Sequence, residues 1–355
     1  MNLIVVPSGY MGSGSSAITD IVSEIKGFEA KNESYEYVFL HAPDGLFDLE
    51  DKLLFSNNAL RSDEALFRFE ERMKSLYNKK NFWVGSYNHF ISYNFINYVY
   101  EFIDRIVNEE YDDTYWYFQQ EPMSVYMQGR LYFRRLVKMV TGGKVLIKVP
   151  LRYKTMRTSF PSETEFYSAS KCFLNKVMAD LGINESNIIL DQLLLPHNLF
   201  RIDHYFDDNL RVFVVERDPR DVFLLNKYVW RKDAVSVPYP YDAERFCDYY
   251  RRMRKGEKVL DDKRILRYHF EDFIYNYDDS ISKIYDFLNV SEEMHDKKKK
   301  KFNPDISVNN TQLFRIKGLS EEVLSEVKII ETRLRDYLYD FPETEFQKER
   351  ISLLF

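Results

Sequence analysis

The chain has 355 residues, 45% of them hydrophobic and 30% charged, which is enough apolar mass for a substantial core and excludes a disordered chain. Its 50 Lys and Arg against 56 Asp and Glu leave a net charge of −6, which argues against a general nucleic-acid binder but not against a local basic pocket for a small anion. Two cysteines, Cys172 and Cys247, exclude a disulfide framework and a zinc centre. No run approaches the ~20 apolar residues of a membrane helix, and no basic stretch precedes the first apolar run, so a cytoplasmic chain without an integral membrane segment is expected.

Leu3–Val6 is short, apolar and β-branched and is broken by Pro7 and Gly9, as a buried strand would be. From Ser16 the period becomes helical, with Ile18, Ile21, Val22 and Ile25 on one face and Gly27 as the stop. A second strand is predicted around Tyr37–Leu40, halted by "HAPDG". Residues 45–141 then read as long helical stretches rich in Glu, Arg, Tyr and Phe, a helical insertion that Gly142-Gly143 can end. Strand-like runs resume at "KVLIKVP" (144–150), "NIILD" (187–191), "LRVFVVE" (210–216) and "RILRY" (264–268). Helical segments fall near 163–181 and 196–206, "FEDFIYNYDDSISKIYDFLN" carries Ile281, Ile284, Tyr285 and Leu288 at helical spacing, and Ser320 can cap a last helix with Val323, Val327, Ile330, Leu334 and Leu338 in its stripe. "KKKKK" (297–301) reads as a solvated loop. Strands alternating with helices predict one α/β domain over 1–355. It is a three-layer, mostly parallel central sheet with helices on both faces, P-loop nucleotide-kinase-like, with the helical insertion inside it.

Two stretches carry chemistry. "SGYMGSGSSA" follows the first strand and opens a helix. Its glycines let backbone N–H groups approach an anion, the helix N-terminus adds unpaired donors, and Ser13, Ser15 and Ser16 add hydroxyls. A triphosphatase loop would carry a lysine where Ser15 stands, so this loop suits a phosphate that is held rather than transferred. The acidic residue of a dinucleotide-binding unit is not evident about 20 residues on, which weakens a nicotinamide reading. The second stretch is "ERDPRDVF" (216–223): Asp218 is placed to cap a helix with Pro219 in its first turn, and Arg217 and Arg220 suit a second anion. The competing reading is that both arginines pair only with Glu216, Asp218 or Asp221.

Together, the Gly/Ser loop after strand one and "RDPRDVF" after a central strand resemble the sulfotransferases that use 3′-phosphoadenosine 5′-phosphosulfate (PAPS). "YHFEDFIYNYDDSISKIYDFLNV" is similar to that family's following helix, and "FNPDISVNNTQLFRI" to its late loop. The resemblance implies that Ser13, Gly14, Ser15 and Ser16, with Gly12 just before them, hold the 5′-phosphosulfate, and that Arg217 holds the 3′-phosphate. It leaves adenosine 3′,5′-bisphosphate as the product. Two positions depart from the pattern: Gly12 stands where the family commonly has a catalytic lysine, and Leu225 where it has a phosphate-binding serine, with Asn226 adjacent as a substitute.

Sulfuryl transfer needs positive charge at the leaving phosphate and benefits from a base on the acceptor hydroxyl. Lys148, in a "K-V-P-L-R-Y" stretch that resembles glycan sulfotransferases, is the first candidate for the charge, with Arg152 and Lys154 behind it. His41 is the first candidate for the base; Asp44, Glu29 and Glu36 compete, and Asp191 and His197 rank lower. Trp83, Tyr87, His89 and Trp116 in the aromatic insertion can stack on a sugar or pack a core. The expected activity is transfer of a sulfuryl group from PAPS to a hydroxyl or amine of a carbohydrate or glycolipid, as in polysaccharide biosynthesis, with no metal and no nucleic acid. The alternatives are a kinase-like P-loop phosphotransferase and a non-catalytic nucleotide- or glycan-binding protein.

Overall fold

The computed structural model describes residues 2–31, 35–81, 83–112, 124–147, 155–232 and 237–342. Its strands are β1 (Ile4–Gly9), β2 (Phe28–Glu29), β3 (Lys80–Asn81), β4 (Val84–Gly85), β5 (Glu109–Tyr111), β6 (Met156–Thr158), β7 (Asn187–Ile189), β8 (Leu210–Glu216) and β9 (Ile265–His269). Five of them form one sheet in the order β2-β7-β1-β8-β9, every pair parallel. Helices surround it, giving the predicted α/β class. Two compact units are distinguished: Met1–Val38, Asn81–Val84 and Met178–Phe355 form the first, Phe39–Lys80 and Gly85–Val177 the second.

In the first unit, β1 lies centrally and is buried over its whole length. The chain runs outward from β1 to the edge strand β2. It returns through β7, then crosses to β8 and β9 on the other side, so the sheet reverses direction at β1. Crevices at the carboxyl ends of strands beside such a reversal are where open parallel sheets bind ligands. The first helix, Ser16–Ser23, covers β1 because Ala17, Ile18, Ile21 and Val22 fall on one face. They pack with Val5, Phe213, Val215, Tyr268, Phe273, Ile284 and Leu288. Each buried Ile, Val or Leu here contributes roughly 1.5–3 kcal/mol. A second cluster gathers Val222, Phe223 and Leu224 with Phe246, Tyr250, Leu313, Val327 and Ile330. The last helix, Glu321–Arg333, starts where Ser320 accepts from Val323 N–H, as its sequence predicts.

The second unit is mostly helical. Ala59–Asn78 is capped by Asn58, whose side chain accepts from Arg61 N–H. Phe95–Ile106 is strongly two-faced, burying Phe95, Val99, Phe102, Ile103 and Ile106. Phe102 meets Phe69 and Phe166 edge-on, with ring centroids 5.6 and 6.0 Å away, so these rings are core packing. Tyr87 is fully buried and edge-on to Phe95 and Phe39, whereas Trp83, which belongs to the first unit, is exposed.

Two predicted strands differ. Tyr37–Leu40 forms no ladder: the carbonyls of Phe39 and Leu40 accept from Leu46 and Phe47 N–H, a turn that launches a helix, and the edge of the sheet belongs to β2 instead. Within "KVLIKVP" the described residues 144–147 are not strand, and 148–150 lie outside the described residues. The strand of that region is β6, further along, and it pairs antiparallel with β5 rather than joining the central sheet.

Candidate active site

β1 ends at Gly9, where a side chain would have no room. A Cβ on Gly9 would lie 2.3 Å from Ser13 Oγ and 2.7 Å from the Val215 carbonyl. The chain then turns, with Ser13 N–H donating to Tyr10 O at 2.8 Å. Gly12 and Gly14 sit at φ +79° and +84°, a region that other residues enter only with strain. The first helical bonds begin at Ala17 N–H and Ile18 N–H, so the amides of Gly14, Ser15 and Ser16 lie ahead of the ladder at the positive end of the helix. Ser15 Oγ accepts from Gln192 Nε2 at 2.8 Å, while Ser16 is exposed. Ser13 Oγ is buried and has no hydrogen-bond partner among the described residues.

The second stretch arrives beside the first. β8 pairs with β1 through Gly9 opposite Val215, which places Arg217 next to the loop. Arg217 is 6% exposed, and its NH1 donates to the Gly12 carbonyl at 3.2 Å. Its NH2 donates to the Asn310 carbonyl, its plane lies 4.7 Å from the Phe270 ring centroid, and its Nε is buried without a partner among the described residues. Burial pulls the guanidinium below its ordinary pKa, while the carboxylates of Asp221, Glu271 and Asp218 hold it up. Arg220 is spent differently. It forks onto Asp218 at 2.9 and 2.7 Å, reaches Glu331 at 2.9 Å, and lies 3.7 Å over the Phe314 ring. Of the two arginines, one turns to the loop and the other closes a structural ion pair.

Three carboxyls fix this corner. Asp218 caps the helix Pro219–Leu224 by accepting from Arg220 N–H. Asp221 accepts from Gln312 and Leu313 N–H, both at 2.8 Å, and so draws the 310–313 segment toward Arg217. Glu271 accepts from Asp218 N–H at 3.0 Å, and burial lifts its carboxyl to about 8 against the pull of Arg217. Burial also raises Asp221, with the charge of Asp218 adding to the effect.

At the other flank of β1, β7 leads into Asp191. Burial, then the nearby Glu36 carboxylate, lift this acid to about 7. Its Oδ2 accepts from Thr19 Oγ1 of the first helix at 3.2 Å, and its Oδ1 is buried without a partner among the described residues. Asp191 therefore stands at the carboxyl end of the strand beside the loop, poised between charged and neutral near neutral pH. Tyr10, at the loop's start, is pinned by its hydroxyl to Glu257 and lies under Arg254 at 3.9 Å, and Arg254 is itself paired with Glu216 at 2.8 Å.

Of the sequence-predicted residues, the structure brings Gly12, Ser13, Gly14, Ser15, Ser16 and Arg217 together. Asn226 lies in the π-helical segment Leu225–Trp230 that continues the helix Pro219–Leu224. Its amide is engaged elsewhere: Oδ1 accepts from Val237 N–H at 2.9 Å and Nδ2 donates to Tyr239 O, so it ties down the 237–239 segment. His41 is a half-buried turn residue of the second unit. Lys148, Arg152, Lys154 and Trp116 lie outside the described residues. Sequence reasoning missed Phe270, which faces both Gly14 and Arg217, and Trp230, whose ring would lie 2.9 Å from a Cβ on Gly12. Nothing in a lone aromatic's local pattern marks it as the wall of a loop formed more than 200 residues earlier.

No protein-family model matches the chain, and no curated protein does. Among solved structures, the sulfotransferase domain from the curacin biosynthetic pathway aligns over 96% of this chain and 99% of its own, at 11% identity and a TM-score of 0.39. The sulfotransferase domain from the Synechococcus PCC 7002 olefin synthase aligns over 96% of this chain and 94% of its own, at 14% identity and a TM-score of 0.38.

Proposed function

We propose that the protein is a PAPS-dependent sulfotransferase. The observation that carries this reading is the convergence of two anion-binding elements, each with a buried donor left over. The Gly12–Ser16 loop offers backbone amides and the Ser13 hydroxyl, and Arg217 offers beside it an Nε without a partner among the described residues. A nucleotide bearing phosphates at both its 5′ and 3′ positions needs two such elements. A loop without the triphosphatase lysine suits a phosphosulfate better than a γ-phosphate.

PAPS, when bound, supplies the activated sulfuryl group. The loop amides with Ser13, Ser15 and Ser16 hold its 5′ end, and Arg217 forks onto the 3′-phosphate. Phe270 backs the guanidinium and keeps it from swinging away. Asp191 is the acceptor-side base this reading favours within the first unit, because an acid poised near 7 both accepts a proton at neutral pH and holds it. His41 and Lys148 remain the sequence's candidates for base and for charge at the leaving oxygen. A carbohydrate or glycolipid hydroxyl is the acceptor class.

Adenosine 3′,5′-bisphosphate should raise the melting temperature of the wild type, and adenosine 5′-monophosphate should do so far less. Arg217→Lys keeps the charge but not the fork and should lose most of the difference between the two ligands. Equal shifts by both nucleotides would remove the 3′-phosphate site from the reading. A shift by Mg-ATP alone would favour a phosphotransferase.

A further inference from the structure

The helix Val125–Val140 of the second unit buries none of its residues. At 100° per residue, Val125, Tyr132, Leu136, Met139, Val140 and Phe133 fall on one continuous apolar face. That face points outward: Tyr132 is 70% exposed, Met139 76%, Phe133 61% and Leu136 56%. Gly129 lies at its centre, and a Cβ there would meet nothing within 4 Å. Exposed Val145 and Leu146 extend the apolar surface past the helix end. An apolar face this wide, left open, marks an interaction site.

Charge selects the partner. Residues 124–147 contain Arg130, Arg134, Arg135, Lys138 and Lys144 and no acidic residue, in a chain whose net charge is −6. On the wheel, Arg135 borders one edge of the apolar face and Arg130 lies beyond the other, 5.7 Å from the Tyr126 ring centroid, while Lys138 falls on the far side of the helix. Long cationic side chains bordering an aromatic-rich apolar stripe can bury their stems beside it while their charges reach outward. A planar surface that is apolar below and anionic above matches this arrangement, whereas a cognate protein groove would have to supply acidic groups along both edges. No helix among the described residues is long and apolar enough to cross a membrane, so the contact is one of lying on the surface.

We propose that Val125–Val140 docks the protein onto anionic phospholipid membrane surfaces. The inference stands independently of the sulfotransferase reading, since it uses none of that site's residues.

The test is co-sedimentation of the full chain with lipid vesicles. The protein should pellet with vesicles of equimolar phosphatidylcholine and phosphatidylserine, stay in solution with phosphatidylcholine alone, and be released by high salt. Leu136→Ser with Met139→Ser should abolish pelleting while leaving the melting temperature unchanged, because both side chains are exposed. Arg130→Gln with Arg135→Gln should weaken it roughly tenfold or more. Absence of binding to the anionic vesicles overturns the proposal. So does self-association in lipid-free solution that the Leu136→Ser, Met139→Ser variant abolishes, since the face would then be covered by a second copy.

Discussion

Asp191 is where residue chemistry makes the sharpest demand. Its carboxyl is held at about 7 against an ordinary 3.8, so the native fold favours the protonated acid. Below about pH 4 the acid is neutral in both folded and unfolded chains and costs nothing. Between there and about 7 the native state progressively loses stability as the pH rises, and above 7 the full penalty remains. Asp191→Asn should therefore match the wild type near pH 4 and exceed its stability at pH 8 by up to about 4 kcal/mol, at 1.36 kcal/mol per unit. If Asp191 is the base, the same substitution should cost about 10²-fold or more in turnover and remove the rise in rate through pH 7. Opposite signs for stability and activity would assign a functional role, whereas a stability change without a change in the pH–rate profile would leave Asp191 structural. Arg220 gives the contrast to Arg217. Removing it strands the buried Asp218, so Arg220→Ala should cost about 3–5 kcal/mol, read by denaturant unfolding, with the preference for a 3′-phosphate intact in whatever folds.

At the scale of elements, the loop's conformation is a backbone property, and glycine substitutions separate strain from function. Gly14 and Gly142 both adopt positive φ, +84° and +60°. A Cβ on Gly142 meets nothing within 4 Å, whereas one on Gly14 meets the Phe270 ring at 2.8 Å. Alanine at either site should cost about 1–2 kcal/mol for the left-handed backbone. Only Gly14→Ala should also abolish the thermal shift with adenosine 3′,5′-bisphosphate. A retained shift in Gly14→Ala would mean that the amides of this turn do not form the cradle. The same elements show what a sequence can reveal. The loop, β8 with its Asp218 cap, and the Ser320 cap were legible because each signal is local: a period, a glycine, a capping side chain within three residues. The strand expected at Tyr37–Leu40 failed because apolar character alone does not say whether carbonyls will meet a neighbouring strand or the start of a helix. Asn226 next to Leu225 suggested a phosphate ligand, but its amide is engaged by the 237–239 segment, a contact that no local pattern encodes. By residue type alone Arg217 and Arg220 look interchangeable in "RDPRDV", and only the family resemblance singles out Arg217; the partners brought by tertiary folding, Gly12 O for one and Glu331 for the other, set them apart physically.

Across the whole molecule, the site joins segments that the chain keeps far apart. Arg217 bonds to the carbonyls of Gly12 and Asn310, and Asp221 accepts from Gln312 and Leu313 N–H. The first loop, the turn after β8 and the 310–313 segment are thereby tied at one point. An anion that engages Arg217 strengthens its hold on a guanidinium already clamped between the other two, so binding stabilises all three at once. Hydrogen exchange should register this as a joint slowing of amides in 10–18, 217–224 and 308–315 when adenosine 3′,5′-bisphosphate is added. The outward-facing helix Val125–Val140 lies in the other unit, makes none of these contacts, and should exchange at the same rate with and without the nucleotide. Protection confined to 10–18 would mean that the loop binds a phosphate alone and that Arg217 serves only to hold the loop. Protection of all three segments, lost in Arg217→Lys, would establish that the arginine couples them through the ligand.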